Sequence, residues 1–187
     1  MTKEGPIRVG PSFFFEGRNL PMLRLRPYKP SDAAKIVAWV SDWDGFSAWC
    51  ADLLDWPLTE ASLEKLRLEF EREADRWLMT ALDQSGTPTG FLMMTRADYQ
   101  ANSIHLGLII VDPARRGQGF GQEMVSLALR YAREILGMER ATLRVFAHNR
   151  AALACYRRCG FRETGLEDAS FPHGDQMWDC YSMEARL

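Results

Sequence analysis

Residues 115–121 read Arg-Arg-Gly-Gln-Gly-Phe-Gly. Glycines let a backbone come close to a ligand, and guanidinium groups carry fixed positive charge. An apolar run, Ser103 to Val111, precedes them and is stopped by Asp112-Pro113, because proline cannot donate to a sheet ladder. Directly afterwards Met124, Val125, Leu127, Ala128, Leu129, Tyr131 and Ala132 recur at helical spacing. Strand, basic glycine-rich turn, helix is an order suited to a phosphate group. The first N–H groups of a helix lack partners, and the helix dipole favours negative charge beside them. The turn is not a P-loop, since no Lys-Ser or Lys-Thr follows the glycines. It is not a dinucleotide fingerprint either: the spacing is G-x-G-x-G, and the next strand, Ala141 to Phe146, ends without an acid. Farther on, Asn149 and Tyr156 stand two helical turns apart, so they share one helix face.

Several elements must position these groups. Leu23-Arg24-Leu25-Arg26 alternates as a strand does. Pro30-Ser31-Asp32 opens a helix to about Val40, and Thr59 caps a second one to about Ala74. Between them, Ser41 to Pro57 reads as an irregular segment rich in tryptophan. Trp77–Leu82 and Thr89–Thr95 form two strands around the turn sequence Asp-Gln-Ser-Gly-Thr-Pro. The long helix runs from about Gln118 to Leu136, with Gly137 as its stop. Asn149 caps a short helix to about Arg158, and Gly160–Glu163 and Gln176–Ala185 close the chain as strands. The order is strand, two helices, three strands, helix, strand, helix, two strands: a mixed α/β layout.

The chain has 187 residues, which suits one domain with a real core. Residues 1–22 show little periodicity and read as an N-terminal extension to a domain of residues 23–187. A net charge of −2 gives no reason to expect nucleic acid or an anionic membrane as partner. The apolar runs are too short to span a bilayer, and Met-Thr-Lys-Glu-Gly-Pro does not open a signal peptide. The four cysteines, Cys50, Cys155, Cys159 and Cys180, lack metal-ligand spacing. No metal is expected, and free thiols in a reducing cytoplasm are the simplest reading.

Arg116-Gly117-Gln118-Gly119-Phe120-Gly121 resembles the pyrophosphate loop of the GCN5-related N-acetyltransferases, the GNAT family, whose pattern is [QR]-x-x-G-x-[GA]. Asn149-Arg-Ala-Ala152-Leu-Ala-Cys-Tyr156 resembles that family's N-x-x-A-x-x-x-Y. The element order extends the resemblance over residues 23–187, and the Leu-Arg-Pro-like opening and early tryptophan are similar to the bacterial ribosomal-protein N-acetyltransferase branch. The resemblance implies a GNAT acyl-CoA N-acyltransferase fold: a central, mostly antiparallel sheet in which two strands splay as a V, flanked by helices. It implies acetyl-CoA as cosubstrate and an amine, small molecule or peptide, as acceptor. Arg116, Gly117, Gln118, Gly119, Phe120, Gly121 and Gln122 would hold the pyrophosphate. Backbone groups of Ile109, Ile110 and Val111 would pair with the pantetheine arm and polarise the thioester oxygen. Asn149 would lie near the pantetheine, and Tyr156 would protonate the leaving thiolate. Dimers are frequent in the family, so a homodimer is also an expectation.

The general base is read less directly. Where ribosomal alanine acetyltransferases hold a glutamate, this chain has Arg144, which cannot accept a proton at neutral pH. Where histone acetyltransferases hold theirs, it has His105, whose imidazole can take a proton directly or through water. Glu123, Asp98, Asp175 and Asp179 are further candidates. The acceptor side is expected in Ser41–Glu60, where Trp43, Phe46, Trp49 and Trp56 mix with Asp42, Asp44, Asp52, Asp55 and Glu60. Aromatic faces and carboxylates suit a cationic amine. Each assignment has a plainer counterpart. Asn149 and Tyr156 also suit a cap and a core tyrosine, His105 a half-buried strand residue, and the tryptophans core packing. Two other functions fit the loop: acyl transfer through Cys155, and a non-catalytic acyl-CoA-binding or regulatory module.

Overall fold

The computed structural model describes residues 22–187. The extension expected at residues 1–22 lies outside the described residues but for its last. The described residues form a seven-stranded sheet between two layers of helices. The strands are β1 (Arg24–Pro27), β2 (Trp77–Leu82), β3 (Pro88–Asp98), β4 (Ser103–Val111), β5 (Arg140–Phe146), β6 (Arg162–His173) and β7 (Gln176–Arg186). Their order across the sheet is β1-β2-β3-β4-β5-β7-β6, and only β4 and β5 run parallel. The helices are α1 (Ala33–Val37), α2 (Trp43–Cys50), α3 (Glu60–Phe70), α4 (Phe120–Glu134) and α5 (Arg150–Arg158).

Each sheet face has its own core. Ile104, Leu106, Leu143, Val145 and Met183 pack under Met124, Val125 and Ala128 of α4 and Leu153 and Tyr156 of α5. Phe91, Met93, Leu108 and Ile110 pack under Ile36, Phe46, Leu63, Leu66 and Phe70 of α1–α3. In β4 the even-numbered residues switch from the first core to the second between Leu106 and Leu108. A bulge causes this: Met93 pairs with Gly107 but Phe91 with Ile110, and Leu108 takes φ 46°. One extra residue reverses which side chains face which layer.

Two elements depart from the sequence reading. The supposedly irregular segment contains α2. Asp42 caps it by accepting from the Gly45 N–H at 2.7 Å, and Ala51 ends it at φ 45°. Gly45 inside a helix of eight residues conceals it, since glycine is a poor helix former. Strand β6 extends to His173, far past Glu163. As the edge strand it has little buried face, so its sequence does not alternate. Pro172 is tolerated there because the outer side of an edge strand needs no donor.

Candidate active site

The site begins where the β4–β5 ladder stops. Pairing covers Ser103–Leu106 against Arg140–Leu143 and goes no further. Beyond Leu106 the two strands part, so among the described residues the β5-facing edge of Gly107–Val111 has no strand beside it. Backbone groups on that edge need another partner, and an extended chain can supply one. The Leu108 bulge falls in this stretch and turns β4 away from its neighbour. Ile109, Ile110 and Val111 therefore all lie on the open arm of the V.

At the end of that arm stands the glycine-rich turn. Asp112 accepts from the Ala114 N–H at 2.9 Å and starts a short 3-10 turn over Pro113–Arg115. Gly117 and Gly119 then take φ 74° and 90°, where a side chain would be strained. Gly119 is the N-cap of α4, and only its carbonyl is used, accepting from Glu123. Among the described residues no protein acceptor faces the N–H groups of Gly117 through Gln122. Successive unpartnered amides at a helix start make an anion cradle, so the residues fit a diphosphate. Arg116 folds its Nε–H onto the Val111 carbonyl at 3.3 Å, and the Gln118 side-chain amide donates to Ala114 O at 3.0 Å. Arg115, by contrast, is held outside the cradle, 3.6 Å from Asp83 and over the Phe120 ring.

Helix α5 closes the other side. A Cβ added to Gly121 would sit 3.5 Å from Val111 Cγ2 and 3.6 Å from Cys155 Sγ. Strand end, loop and α5 thus converge there. Asn149 is the α5 cap, accepting from the Ala152 N–H at 3.1 Å through its side-chain oxygen. Tyr156 is buried with Phe161 edge-on at 6.1 Å. Burial pushes its phenol pKa up, and neighbouring Cys155 and Cys159 push the same way. The phenol stays protonated at neutral pH, as a proton donor must.

His105 lies apart from this group. It sits on the paired, closed end of the V, opposite Thr142, with Nδ1 3.0 Å from Thr142 Oγ1. Its neighbours Ile104 and Leu106 face α4 and α5, so His105 faces the other layer, away from Tyr156. Burial, then Arg96 and Arg144, push its pKa down to about 4. It stays neutral at working pH, but it is a weak proton acceptor. Glu123, another candidate, is spent on the Leu23 N–H at 2.8 Å, and burial raises its pKa.

The tryptophan-rich segment divides. Phe46 is core, and Trp49 packs edge-on against Phe91 at 6.4 Å. Trp43 and Trp56 keep about two-fifths of their surface exposed, at 43% and 40%. Trp43 also reaches across to the β6–β7 hairpin, where it stacks on His173. The sequence reading passed over His173, Trp178 and His148, which join Trp43 and Phe146 in one aromatic cluster at the open end of β5. Pro172-His173-Gly174-Asp175, an imidazole beside a hairpin turn, was the signal available.

A sheet that parts beside a helix-start anion cradle suits an extended ligand that carries a diphosphate. A family model, the acetyltransferase (GNAT) domain, matches residues 22–162. Peptidyl-lysine N-acetyltransferase YjaB of Salmonella typhimurium is 28% identical over 148 residues, covering 79% of this chain and 88% of that protein. Mycothiol acetyltransferase of Salinispora tropica is 34% identical over 106 residues, 55% of this chain and 34% of that protein. Among solved structures, spermidine N-acetyltransferase from Vibrio cholerae, in complex with CoA and spermine, superposes with a TM-score of 0.77. It shares 22% identity, over 88% of this chain and 95% of that one. The chain belongs to the GNAT acetyltransferase family, as an acetyl-CoA-dependent N-acetyltransferase acting on an amine. These relatives do not single out the ribosomal-protein branch. Among the described residues no helix is long and apolar enough to cross a membrane.

Proposed function

We propose that the acceptor amine attacks acetyl-CoA directly, in a ternary complex, and that the acceptor is a cationic primary amine such as a polyamine or a lysine side chain. Acetyl-CoA supplies the activated acyl group. Arg116 and the amides of Gly117 through Gln122 hold its diphosphate, with Gln118, Gly119, Phe120 and Gly121 forming the cradle. The backbone of Ile109, Ile110 and Val111 pairs with the pantetheine arm and polarises the thioester oxygen. Asn149 borders the arm, and Tyr156 donates a proton to the departing sulfur. One observation carries this reading: the β4–β5 ladder ends at Leu106 and Leu143, and six amides without a protein acceptor among the described residues follow at the end of the freed strand.

The preference for a cation rests on exposed Trp43 and Trp56 beside Asp42 and Asp44. The names of the relatives, peptidyl-lysine and spermidine acetyltransferases, point the same way. The depressed pKa of His105 makes direct deprotonation of an ammonium unfavourable, which leaves it only a water-mediated role. The catalytic domain spans residues 23–187. A cytoplasmic setting fits four free cysteines, and a homodimer rests on family resemblance alone.

The test is acetyl-CoA with spermidine, lysine peptides, aminoglycosides and N-terminal peptides, read by thiol release and product mass. Release with at least one cationic amine is expected. Tight acetyl-CoA binding with no release would mark a non-catalytic acyl-CoA-binding module. No binding in calorimetry would refute the loop assignment itself.

A further inference from the structure

His173 occupies an unusual position. Its Nε2 lies 2.7 Å from Asp44 Oδ1, joining the tip of the β6–β7 hairpin to the first turn of α2. Its ring stacks on two indoles, Trp43 at 5.7 Å and 14° and Trp178 at 4.0 Å and 28°. The side chain is only 10% exposed, and among the described residues its Nδ1 is buried without a hydrogen-bond partner. These facts fix the ring's chemistry. An ionised carboxylate only accepts, so in the neutral ring Nε2 carries the hydrogen. Nδ1 is then a lone pair, a buried acceptor that no protein donor meets. Buried acceptors without donors are costly, and a native one calls for an explanation.

We propose that His173 is the catalytic residue that takes the proton from the acceptor amine, with Asp44 as the positioning residue that fixes its tautomer. The inference rests on the direct attack of an amine set out above. Nδ1 is covered in the unliganded protein, so the step requires the half-exposed Trp43 indole to give way: an ammonium that displaces it donates an N–H to Nδ1, and the proton passes to the ring. The freed nitrogen lone pair then forms the C–N bond as the C–S bond breaks. Tyr156 gives its proton to the sulfur and regains one from the new amide nitrogen, and His173 returns its own to solvent. The surroundings suit the charged ring. Its Nε2–H stays on the Asp44 carboxylate, and the ring stacks on two indoles, whose faces attract cations. The place is also suitable. Trp178 packs against Phe146 at 5.0 Å and His148 at 4.4 Å, where β5 has parted from β4. No other histidine combines these features: His105 sits at the closed end of the V.

The experiment replaces His173 with Ala and adds small bases back. Turnover is followed with the amine that gives the wild-type enzyme its highest rate. His173→Ala should lose at least about 100-fold in kcat/KM, the usual range for a general base, with acetyl-CoA affinity within about twofold by calorimetry. Free imidazole should restore activity at least about tenfold. 1,2,4-Triazole, nearly the same shape but a much weaker base, should restore almost none. Asp44→Asn should lower kcat more than it raises the amine KM. Equal rescue by both heterocycles would mean that the ring only fills space, and would overturn the proposal. So would a His173→Ala enzyme within about threefold of wild type. If Ala fails to fold, His173→Gln keeps the volume and should show the same loss. Failure of both variants to bind acetyl-CoA would make His173 structural. A wild-type enzyme that binds acetyl-CoA but turns over no amine would sink the parent reading instead.

Discussion

The two sides of the V are built by different rules. The side proposed for acetyl-CoA is made of neighbours in sequence: β4, the glycine turn, α4 and, one strand later, α5. The groups assigned to binding there are backbone amides, and two glycines at positive φ aim them. The side proposed for the acceptor is assembled from distant segments. Asp44 and His173 are 129 residues apart, and the cluster around them draws on α2, the end of β5 and the β6–β7 hairpin. Its contacts are side chains on side chains. A backbone cradle tolerates wide sequence change so long as the turn is kept, whereas a side-chain cluster can be replaced piece by piece. One fold can thereby keep its cosubstrate and change its acceptor.

Substitutions on either side should therefore separate cleanly, and the largest effect is expected where the sides meet. Tyr156→Phe removes one hydroxyl from a buried ring and leaves its packing on Phe161 intact. Turnover should fall about 100-fold or more, while acetyl-CoA affinity by calorimetry stays within about twofold. Equal losses in both would make Tyr156 a structural residue. Gly119→Val should do the reverse. At φ 90° a β-branched residue costs about 1–3 kcal/mol of strain, and it reshapes the cradle. Acetyl-CoA affinity should drop at least about 10- to 100-fold, with the amine KM at saturating acetyl-CoA nearly unchanged. Retained affinity would break the assignment of the loop.

The same division decides what the chain reveals before it folds. The loop is legible because its meaning is local: glycine spacing, a strand before and a helix after. Strands β2 and β4 are legible to the residue, and Thr59 and Asn149 announce their helices as caps. The Leu108 bulge is not, because leucine carries no turn signal and only register against β3 forces φ 46° on it. Helix α2 hides behind Gly45, and β6 behind the polarity of an edge. His105 shows the converse limit. Its position in the pattern suggests a base, but the burial and the two arginines that depress its pKa are tertiary facts.

A third substitution probes what fixes the acceptor-side helices to the sheet. Asp32, 2% exposed, accepts from Arg26 at 2.7 and 2.8 Å, from Thr80 Oγ1 at 2.9 Å and from the Lys29 N–H at 3.1 Å. Burial alone would push its carboxyl pKa up, but those donors outweigh it and hold it below the ordinary range. A depressed carboxyl contributes stability that is present above its unfolded value of about 3.9 and lost as pH falls through the folded one. Asp32→Asn should cost about 2–3 kcal/mol at neutral pH, since Arg26 is left half-paired and is itself partly solvated. At this chain length that is a melting point lower by about 5–10 °C. The gap between the two proteins should narrow below about pH 4. A gap independent of pH would show that geometry, not charge, does the anchoring. Acetyl-CoA affinity of the folded variant should not move.

The smallest effect is expected at Trp43. With 43% of its surface exposed, it adds little to the core, so Trp43→Ala should shift the melting point by only a few degrees. Its ring nonetheless touches Phe46 at 5.9 Å, Trp56 at 6.1 Å and His173 at 5.7 Å, and the exposed part of the indole can meet a cation. Losing one indole face against an ammonium removes about 0.5–1.5 kcal/mol, which is roughly a 2- to 12-fold rise in amine KM. The rise should be larger for spermidine than for an uncharged primary amine, and acetyl-CoA affinity should be unchanged. A fall in acetyl-CoA affinity matching the rise in amine KM would show that the two sides of the V are not independent, because Trp43 would then be shaping both.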